Sequence, residues 1–354
     1  MSSELKVGII GANATGGWAS EAHAPAVQSI SGLRLSAVAT TRQQTADEAA
    51  RALGVEKAYA SGAALIADPE IDIVTVATRV PDHRDLLLAA IAAGKHVYSE
   101  WPLGLSVSEA EEVASAARAA GVKHAIGLQL RGSPAVRQAQ RLLTDGEIGR
   151  VLSIRTYSTT AGFGPQVPPQ FAYLEDPASF ANLVTIQGAH TLDLVLALGG
   201  PLQSITALLS RQYPQIQMSE PDRQVNRQTF DHFLAQGRLA SGAPFTLEVA
   251  GGCTRETPFY LEITGTEGTL RLDGGASRGV QAGRLRLLRD GEPVQVNEPS
   301  LERLSDSAIN VAGNYTALRD DILNSTSTVT DFDHAVHLTR LMEDVLRSSV
   351  DAER

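Results

Sequence analysis

Seven residues, Gly11-Ala12-Asn13-Ala14-Thr15-Gly16-Gly17, follow the apolar run LKVGII and precede a segment with helix-compatible spacing. A strand that stops at glycine and reopens as a helix offers backbone N–H groups to a pyrophosphate, and glycines let the phosphates come close. The middle glycine of G-x-G-x-x-G is Asn13 here, a residue that tolerates left-handed backbone. Gly11, Asn13, Ala14 and Thr15 are therefore expected to hold a dinucleotide; a tight turn that only packs is the competing reading. The end of the second apolar run selects the cofactor. A carboxylate there holds the ribose hydroxyls of NAD, whereas arginine accommodates the 2′-phosphate of NADP. Thr40-Thr41-Arg42 contains no acid, so Thr41 and Arg42 favour NADP(H), with NAD(H) the alternative.

Few other polar groups stand where a small molecule would meet them. Gln129 and Arg131 end a strand at the carboxyl edge of a predicted sheet, where open α/β folds bind ligands. Arg131 could equally pair with a surface carboxylate. Tyr157 and Tyr173 carry hydroxyls, although a phenol with an ordinary pKa of about 10 is a weak proton donor at neutral pH. His190 lies on an apolar, helix-like segment, where an imidazole is either a hydrogen-bonded core group or a neutral base. Asp193, one helical turn on, could orient that ring. Asp231 and His232 are neighbours in a strand, so their side chains point to opposite faces. No His, Cys and carboxylate grouping has metal-ligand spacing, and no Ser/His/Asp set is convincing. Cys253 is the only cysteine, which excludes an internal disulfide, and no histidine lies beside it to make a thiolate.

The elements that must position these residues alternate. LKVGIIG, LRLSAVAT (33–40), IDIVTVAT (71–78), KHVYS (95–99) and VKHAIGLQ (122–129) read as strands, with helical segments between them. Ser106 followed by Glu109 marks a capping box at the start of one of these helices. Strands alternating with helices of this length form βαβ units, and buried parallel strands are near-continuously apolar. Residues 1–128 are thus predicted to be a doubly wound, Rossmann-type domain. From 129 to 354 the pattern changes to an α+β domain. A linking helix and the strand RVLSIRTYST lead into a Pro/Gly-rich loop and then the helical stretch 182–200. Six further strands up to about residue 290 predict a largely antiparallel open sheet. Two helices, about 310–325 and 333–348, close the chain, the last packing back on the first domain.

Composition bounds the partners. The 354 residues exceed a single compact core, and 30 Lys+Arg against 40 Asp+Glu give a formal charge of −10 with no basic run. Direct nucleic-acid binding is not expected. The N-terminus enters a strand within a few residues and no stretch of 18 uninterrupted apolar residues occurs, so a cytoplasmic protein without a membrane segment is expected.

Several motifs taken together resemble the glucose–fructose oxidoreductase/inositol dehydrogenase/rhizopine-catabolism family. They are HAPAV after the first turn, Ala77-Thr78 to His83, AGKHV followed by Glu100, Pro102 and Leu103, IGLQLRGSPAV, Gly188/His190/Asp193, GTEGTLRL and DFDHAV. The resemblance implies that Thr78 and His83 line a bound NAD(P). It further implies that Glu100, with Trp101 and Pro102 after it, supports the nicotinamide end. A sugar, cyclitol or related polyol would be the substrate, with a hydride passing between it and the cofactor. Family members usually carry lysine at position 101 and an acid at 186; here these are Trp101 and Ile186. Trp101 cannot titrate, which leaves His190 as proton-transfer group, with Tyr173 a substitute acid. Trp101, Gln129, Arg131, Gln187 and His190 would then contact substrate. The Asn13 turn followed by Gly16-Gly17-Trp18-Ala19 is similar to a subgroup typified by yeast galactose-pathway repressors, as is Glu100-Trp101. That likeness implies a non-catalytic, cofactor-loaded sensor docking another protein; a third option is glycoside cleavage with a recycled cofactor. A homodimer or homotetramer is expected by the same resemblance.

Overall fold

Residues 4–253, 256–296, 298 and 303–352 are described in the computed structural model. The run Leu5–Ile10 is β1, buried at five of its six positions. After it come a helical turn at Ala19–His23, continued as α1 (Ala24–Ser29), then β2 (Leu33–Ala39), α2 (Gln43–Leu53) and β3 (Lys57–Tyr59). The alternation goes on through α3 (Gly62–Ile66), β4 (Ile73–Val76), α4 (His83–Ala92), β5 (His96–Glu100), α5 (Val107–Ala120) and β6 (His124–Gly127). The six strands form one sheet in the order β3-β2-β1-β4-β5-β6, every neighbouring pair parallel. β4 is buried at all four positions, the expected mark of a strand covered on both faces. Ser106 caps α5 by accepting from the Glu109 N–H, while the Glu109 carboxylate reaches back to the N–H of Leu105.

The second group of elements begins with α6 (Pro134–Thr144), β7 (Val151–Thr159) and β8 (Gln166–Val167). A helical turn at Val184–Gly188 opens α7 (Ala189–Gly199), which is apolar nearly all round and buried inside this unit, as a core helix must be. The strands that follow are β9 (Leu202–Ser210), β10 (Gln215–Ser219), β11 (Asp222–Asn226), β12 (His232–Leu239), β13 (Pro244–Ala250), β14 (Phe259–Gly265), β15 (Thr269–Gly274), β16 (Leu285–Arg289) and β17 (Glu292–Pro293). Eight of the strands make one sheet, ordered β17-β16-β15-β14-β7-β13-β12-β9. It is antiparallel except where β13 runs parallel to β7, from Phe245 beside Ile154 to Ala250 beside Thr159. A second, three-stranded sheet, β11-β10-β8, does not follow from the sequence pattern. Its hairpin is polar along most of its length and lacks the apolar alternation that marks a half-buried strand.

Two helices end the chain, α8 (Asp306–Asn324) and α9 (Phe332–Ala352). The chain divides into two compact units, Met1–Gly132 with Glu298–Thr339, and Ser133–Asn297 with Arg340–Arg354. The division thus differs from the expected boundary at 128. α8 lies wholly in the first unit, and α9 runs through the boundary. Ala308, Ile309, Val311, Ala312, Tyr315 and Leu318 of α8 join the apolar core built on β1, β2 and α1. A Cβ on Gly313 would stand 2.0 Å from the Gly132 carbonyl oxygen, so only glycine lets the helix lie this close to the turn after β6. Asp321 fixes the connection to α9 by accepting from the Thr328 and Val329 N–H groups and the Thr326 hydroxyl.

Candidate active site

In the first unit the candidate residues collect at the carboxyl ends of the parallel strands. Gly11 has φ +96°, and a Cβ there would lie 2.6 Å from the Ala77 carbonyl oxygen. The other left-handed residues of the turn are Gly16 and Gly17; Asn13 is not among them. The expectation that Asn13 stands in for glycine through left-handed backbone is therefore corrected. Asn13 is exposed and its carbonyl accepts from the Ser20 hydroxyl, while Gly17 N–H donates to Glu21 Oε1 at 3.1 Å. Thr15, Gly16 and Gly17 are exposed and Ala14 is half-buried. A loop that is largely backbone on its open side, next to a helix start, fits a diphosphate.

Thr41 and Arg42 follow β2 on the surface. The Thr40 hydroxyl bonds to Thr45 Oγ1 at 2.6 Å and to the Arg42 carbonyl at 2.8 Å, which fixes the turn and leaves the Arg42 guanidinium exposed.

Thr78 and His83 lie beyond β4. Thr78 is half-buried, but the His83 ring is buried, with Nδ1 2.8 Å from the Pro102 carbonyl and Nε2 3.1 Å from the Thr78 carbonyl. Burial lowers its pKa, against the two carbonyls, which raise it. His83 thus ties the turn after β4 to the turn after β5. Trp101 and Pro102 are buried beside it.

Glu100, the last residue of β5, accepts on Oε1 from His23 Nε2 at 2.9 Å and from Gln129 Nε2 at 3.0 Å. Gln129 also donates to Oε2 at 2.8 Å. Gln129 is buried on the short turn after β6, and its amide nitrogen is committed to Glu100. Arg131, on the same turn, brings Nη2 within 3.3 Å of His334 Nε2 on α9. His23 continues inward, its Nδ1 2.9 Å from the Tyr315 hydroxyl, which lies 2.7 Å from Thr75 Oγ1. Tyr98 stacks on Tyr315 with ring centroids 4.7 Å apart, and burial pushes both phenols well above their ordinary range. Neither His23 nor Tyr315 follows from sequence as part of the site. HAPAV carried the only signal for His23, and Tyr315 lies 292 positions away.

In the second unit His190 and Asp193 are buried one turn apart on α7. Gln187 is buried just before them and donates to the Arg278 carbonyl at 2.9 Å, so its amide nitrogen holds a loop of its own unit. Ile186 is half-buried and Tyr173 half-buried on a helical turn at Pro169–Glu175. Asp231 and His232 do face opposite ways. Asp231 accepts from the Gln212 and Tyr213 N–H groups and from Arg227, whereas His232 lies 3.1 Å from Glu248 Oε1. Arg227 itself was not anticipated. Its buried guanidinium also donates to Glu175 and to the carbonyls of Phe163 and Gly164, pinning the Pro/Gly-rich loop. Among the described residues no group of three or more His, Cys, Asp or Glu side chains is arranged to hold a metal.

A doubly wound sheet with a glycine turn at its first strand, and a second unit built on an open mixed sheet, define the class of nicotinamide-dinucleotide oxidoreductases. Residues 5–128 match an oxidoreductase family described by its NAD-binding Rossmann fold, and residues 134–274 match the C-terminal domain of Gal80p. The dehydrogenase aclE of Aspergillus oryzae is 31% identical over 326 residues, 89% of this chain and 87% of that protein. Levoglucosan dehydrogenase of Pseudarthrobacter phenanthrenivorans is 28% identical over 290 residues, covering 75% of this chain and 73% of its own. A crystal structure of a super-repressor mutant of Gal80p from Saccharomyces cerevisiae superposes with a TM-score of 0.86 at 25% identity, over 99% of this chain and 97% of that one. The chain belongs to the glucose–fructose oxidoreductase/inositol dehydrogenase family of NAD-binding oxidoreductases.

Proposed function

We propose that the protein moves a hydride between a nicotinamide cofactor, NADP(H) in preference to NAD(H), and a secondary carbinol of a sugar, cyclitol or related polyol. The observation that carries this reading is the carboxyl edge of the parallel sheet, where the open Gly11–Gly17 loop and the doubly held Glu100 stand at strand ends. The bound cofactor supplies the hydride acceptor or donor. The exposed loop with Asn13 and Thr15 would seat its diphosphate, and Arg42 a 2′-phosphate. Trp101 offers a flat apolar wall to nicotinamide or sugar. The His190 ring, neutral, takes the hydroxyl proton as the carbinol is oxidised and returns it in the reverse direction. Tyr173, Gln129, Arg131 and Gln187 remain the further candidates for contact with substrate. Levoglucosan dehydrogenase and the dehydrogenase aclE support a dehydrogenase, and the former a carbinol substrate. Purified protein assayed with polyols and keto-sugars is expected to change nicotinamide absorbance, and His190→Ala to reduce it; no change with any substrate, and no effect of His190→Ala, would overturn the reading.

The match of residues 134–274 to the Gal80p C-terminal domain, together with tryptophan at the family's lysine position, favours one second reading: a cofactor-loaded sensor that docks another protein. It requires cofactor binding without turnover, and steady turnover in a protein that captures no partner excludes it. In either reading we place the protein in the cytoplasm as a homodimer or homotetramer. Self-association through the outer face of the eight-stranded sheet, where Leu208 is 62% exposed, is measured by sedimentation of the wild type and of Leu208→Asp.

A further inference from the structure

Glu100 is met by donors on two sides, His23 and Gln129, yet among the described residues no lysine or arginine lies within ion-pair distance of it. Position 101, where the family carries lysine, is an indole. The end of β5 therefore presents a carboxylate whose charge no adjacent ammonium offsets, with an aromatic ring directly after it. The two redox forms of a nicotinamide differ by one positive charge on the ring. Both a fixed carboxylate and an indole face interact more favourably with the cationic form.

We propose that Glu100 and Trp101 together select the oxidised form of the cofactor over the reduced form, and that His23 and Tyr315 are the positioning residues that fix the Glu100 carboxylate. The inference rests on the dinucleotide reading above. The polarity of the chain follows from chemistry. A carboxylate only accepts, so the His23 nitrogen that faces it, Nε2, carries a proton. The Tyr315 hydroxyl lies 2.9 Å from Nδ1 and 2.7 Å from Thr75 Oγ1, so it bridges the ring to β4. Burial holds Tyr315 in its protonated form, so this hydroxyl bridge persists across the working pH range. His23 is buried with edge-on contacts to Tyr98 and Tyr315, at 5.2 and 5.7 Å between ring centroids, so the ring has little freedom to turn. α8 thereby sets the direction of a carboxylate at the far edge of β5.

The test is the ratio of dissociation constants for the reduced and oxidised cofactor, measured by calorimetry without substrate. Glu100→Gln, which keeps the shape and removes the charge, is expected to shift this ratio about tenfold toward the reduced form, the size of one partly solvated charge interaction. Trp101→Leu shifts it the same way. Tyr315→Phe, which deletes one oxygen and is checked for an unchanged melting temperature, shifts it about threefold, an effect that general loosening would not produce because both forms would weaken together. Arg42→Ala is the control and weakens both forms equally. Tight binding of both forms with a ratio indifferent to Glu100→Gln leaves the dinucleotide reading standing and overturns this inference. A ratio moved by Glu100→Gln but not by Tyr315→Phe removes the positioning role of His23 and Tyr315. Binding of neither form overturns the dinucleotide reading and this inference together.

Discussion

Arg227 Nη1 donates to Asp231 Oδ2 at 2.7 Å, and both side chains are buried. The same guanidinium binds Glu175 through two nitrogens, and Asp231 also holds two backbone N–H groups, so every charge in the cluster has partners. Breaking such a pair from one side leaves a buried charge uncompensated, at a cost of about 3–5 kcal/mol. Arg227→Met is expected to lower the urea midpoint of the second unit accordingly. Arg227→Lys should recover only part, because an ammonium cannot reproduce the fork that spans Glu175, Asp231 and the loop carbonyls. A midpoint unchanged in Arg227→Met would mean that the loop is held by other contacts.

Three histidines of the first unit, His83, His96 and His124, are held below their ordinary value of 6.5, in each case chiefly by burial. Folded, they take up a proton only at a lower pH than in the unfolded chain, where they do so near 6.5. Between the lowered folded values and 6.5 the unfolded chain binds more protons, so stability rises with pH across that window. Their contribution is complete above about 6.5 and is lost on acidification. The melting temperature is thus expected to fall as pH drops from 7 toward 5. Replacing His83 by Gln, which keeps an N–H donor for one of the two carbonyls, should flatten part of that dependence while lowering the plateau.

The parallel sheet was legible because its strands obey a rule that reads locally: β4 is buried on both faces and is apolar at nearly every position. Ser106 with Glu109 was legible for the same reason, a spacing of three residues that only a helix start brings together. The hairpin of β10 and β11 was not, since it is polar along most of its length and Ile216 is its one fully buried apolar side chain. The site divides along the same line. Glu100, Trp101 and Gln129 sit at strand ends that the alternation already places. What fixes Glu100 could not be found that way, because His23 and Tyr315 meet only once α8 has folded onto β1 and α1. Arg227 escaped notice because it follows a polar strand and looks like a surface residue until Asp231 and Glu175 close around it.

On the proposed reading, Arg42 is the residue assigned the preference for NADP(H). Its side chain is exposed beyond β2, on a turn already fixed by Thr40 and Thr45, so a substitution should leave the fold intact. A guanidinium on a phosphate contributes about 1.5–3 kcal/mol, or roughly tenfold to a hundredfold in affinity. Arg42→Asp is expected to weaken NADP(H) by that factor and to improve NAD(H), since a carboxylate there can bind ribose hydroxyls. Titration of both cofactors into both proteins decides it. Equal weakening of NAD(H) and NADP(H) would mean that Arg42 contacts neither 2′ group.

Trp101 stands where the family usually carries lysine and offers no group that titrates. The proposed function therefore assigns proton transfer to His190, and general acid–base catalysis of this kind is worth about 10²–10⁴ in rate. His190→Ala is therefore expected to lower kcat by at least about a hundredfold, with little change in cofactor affinity. Trp101→Lys alone should do little for kcat, because His190 already serves, and a lysine placed in a buried position loses part of its charge. A deficit confined to kcat, with loss of the imidazole limb of the pH profile, identifies His190 as the proton acceptor. A deficit that appears in KM as well would place His190 in substrate orientation instead.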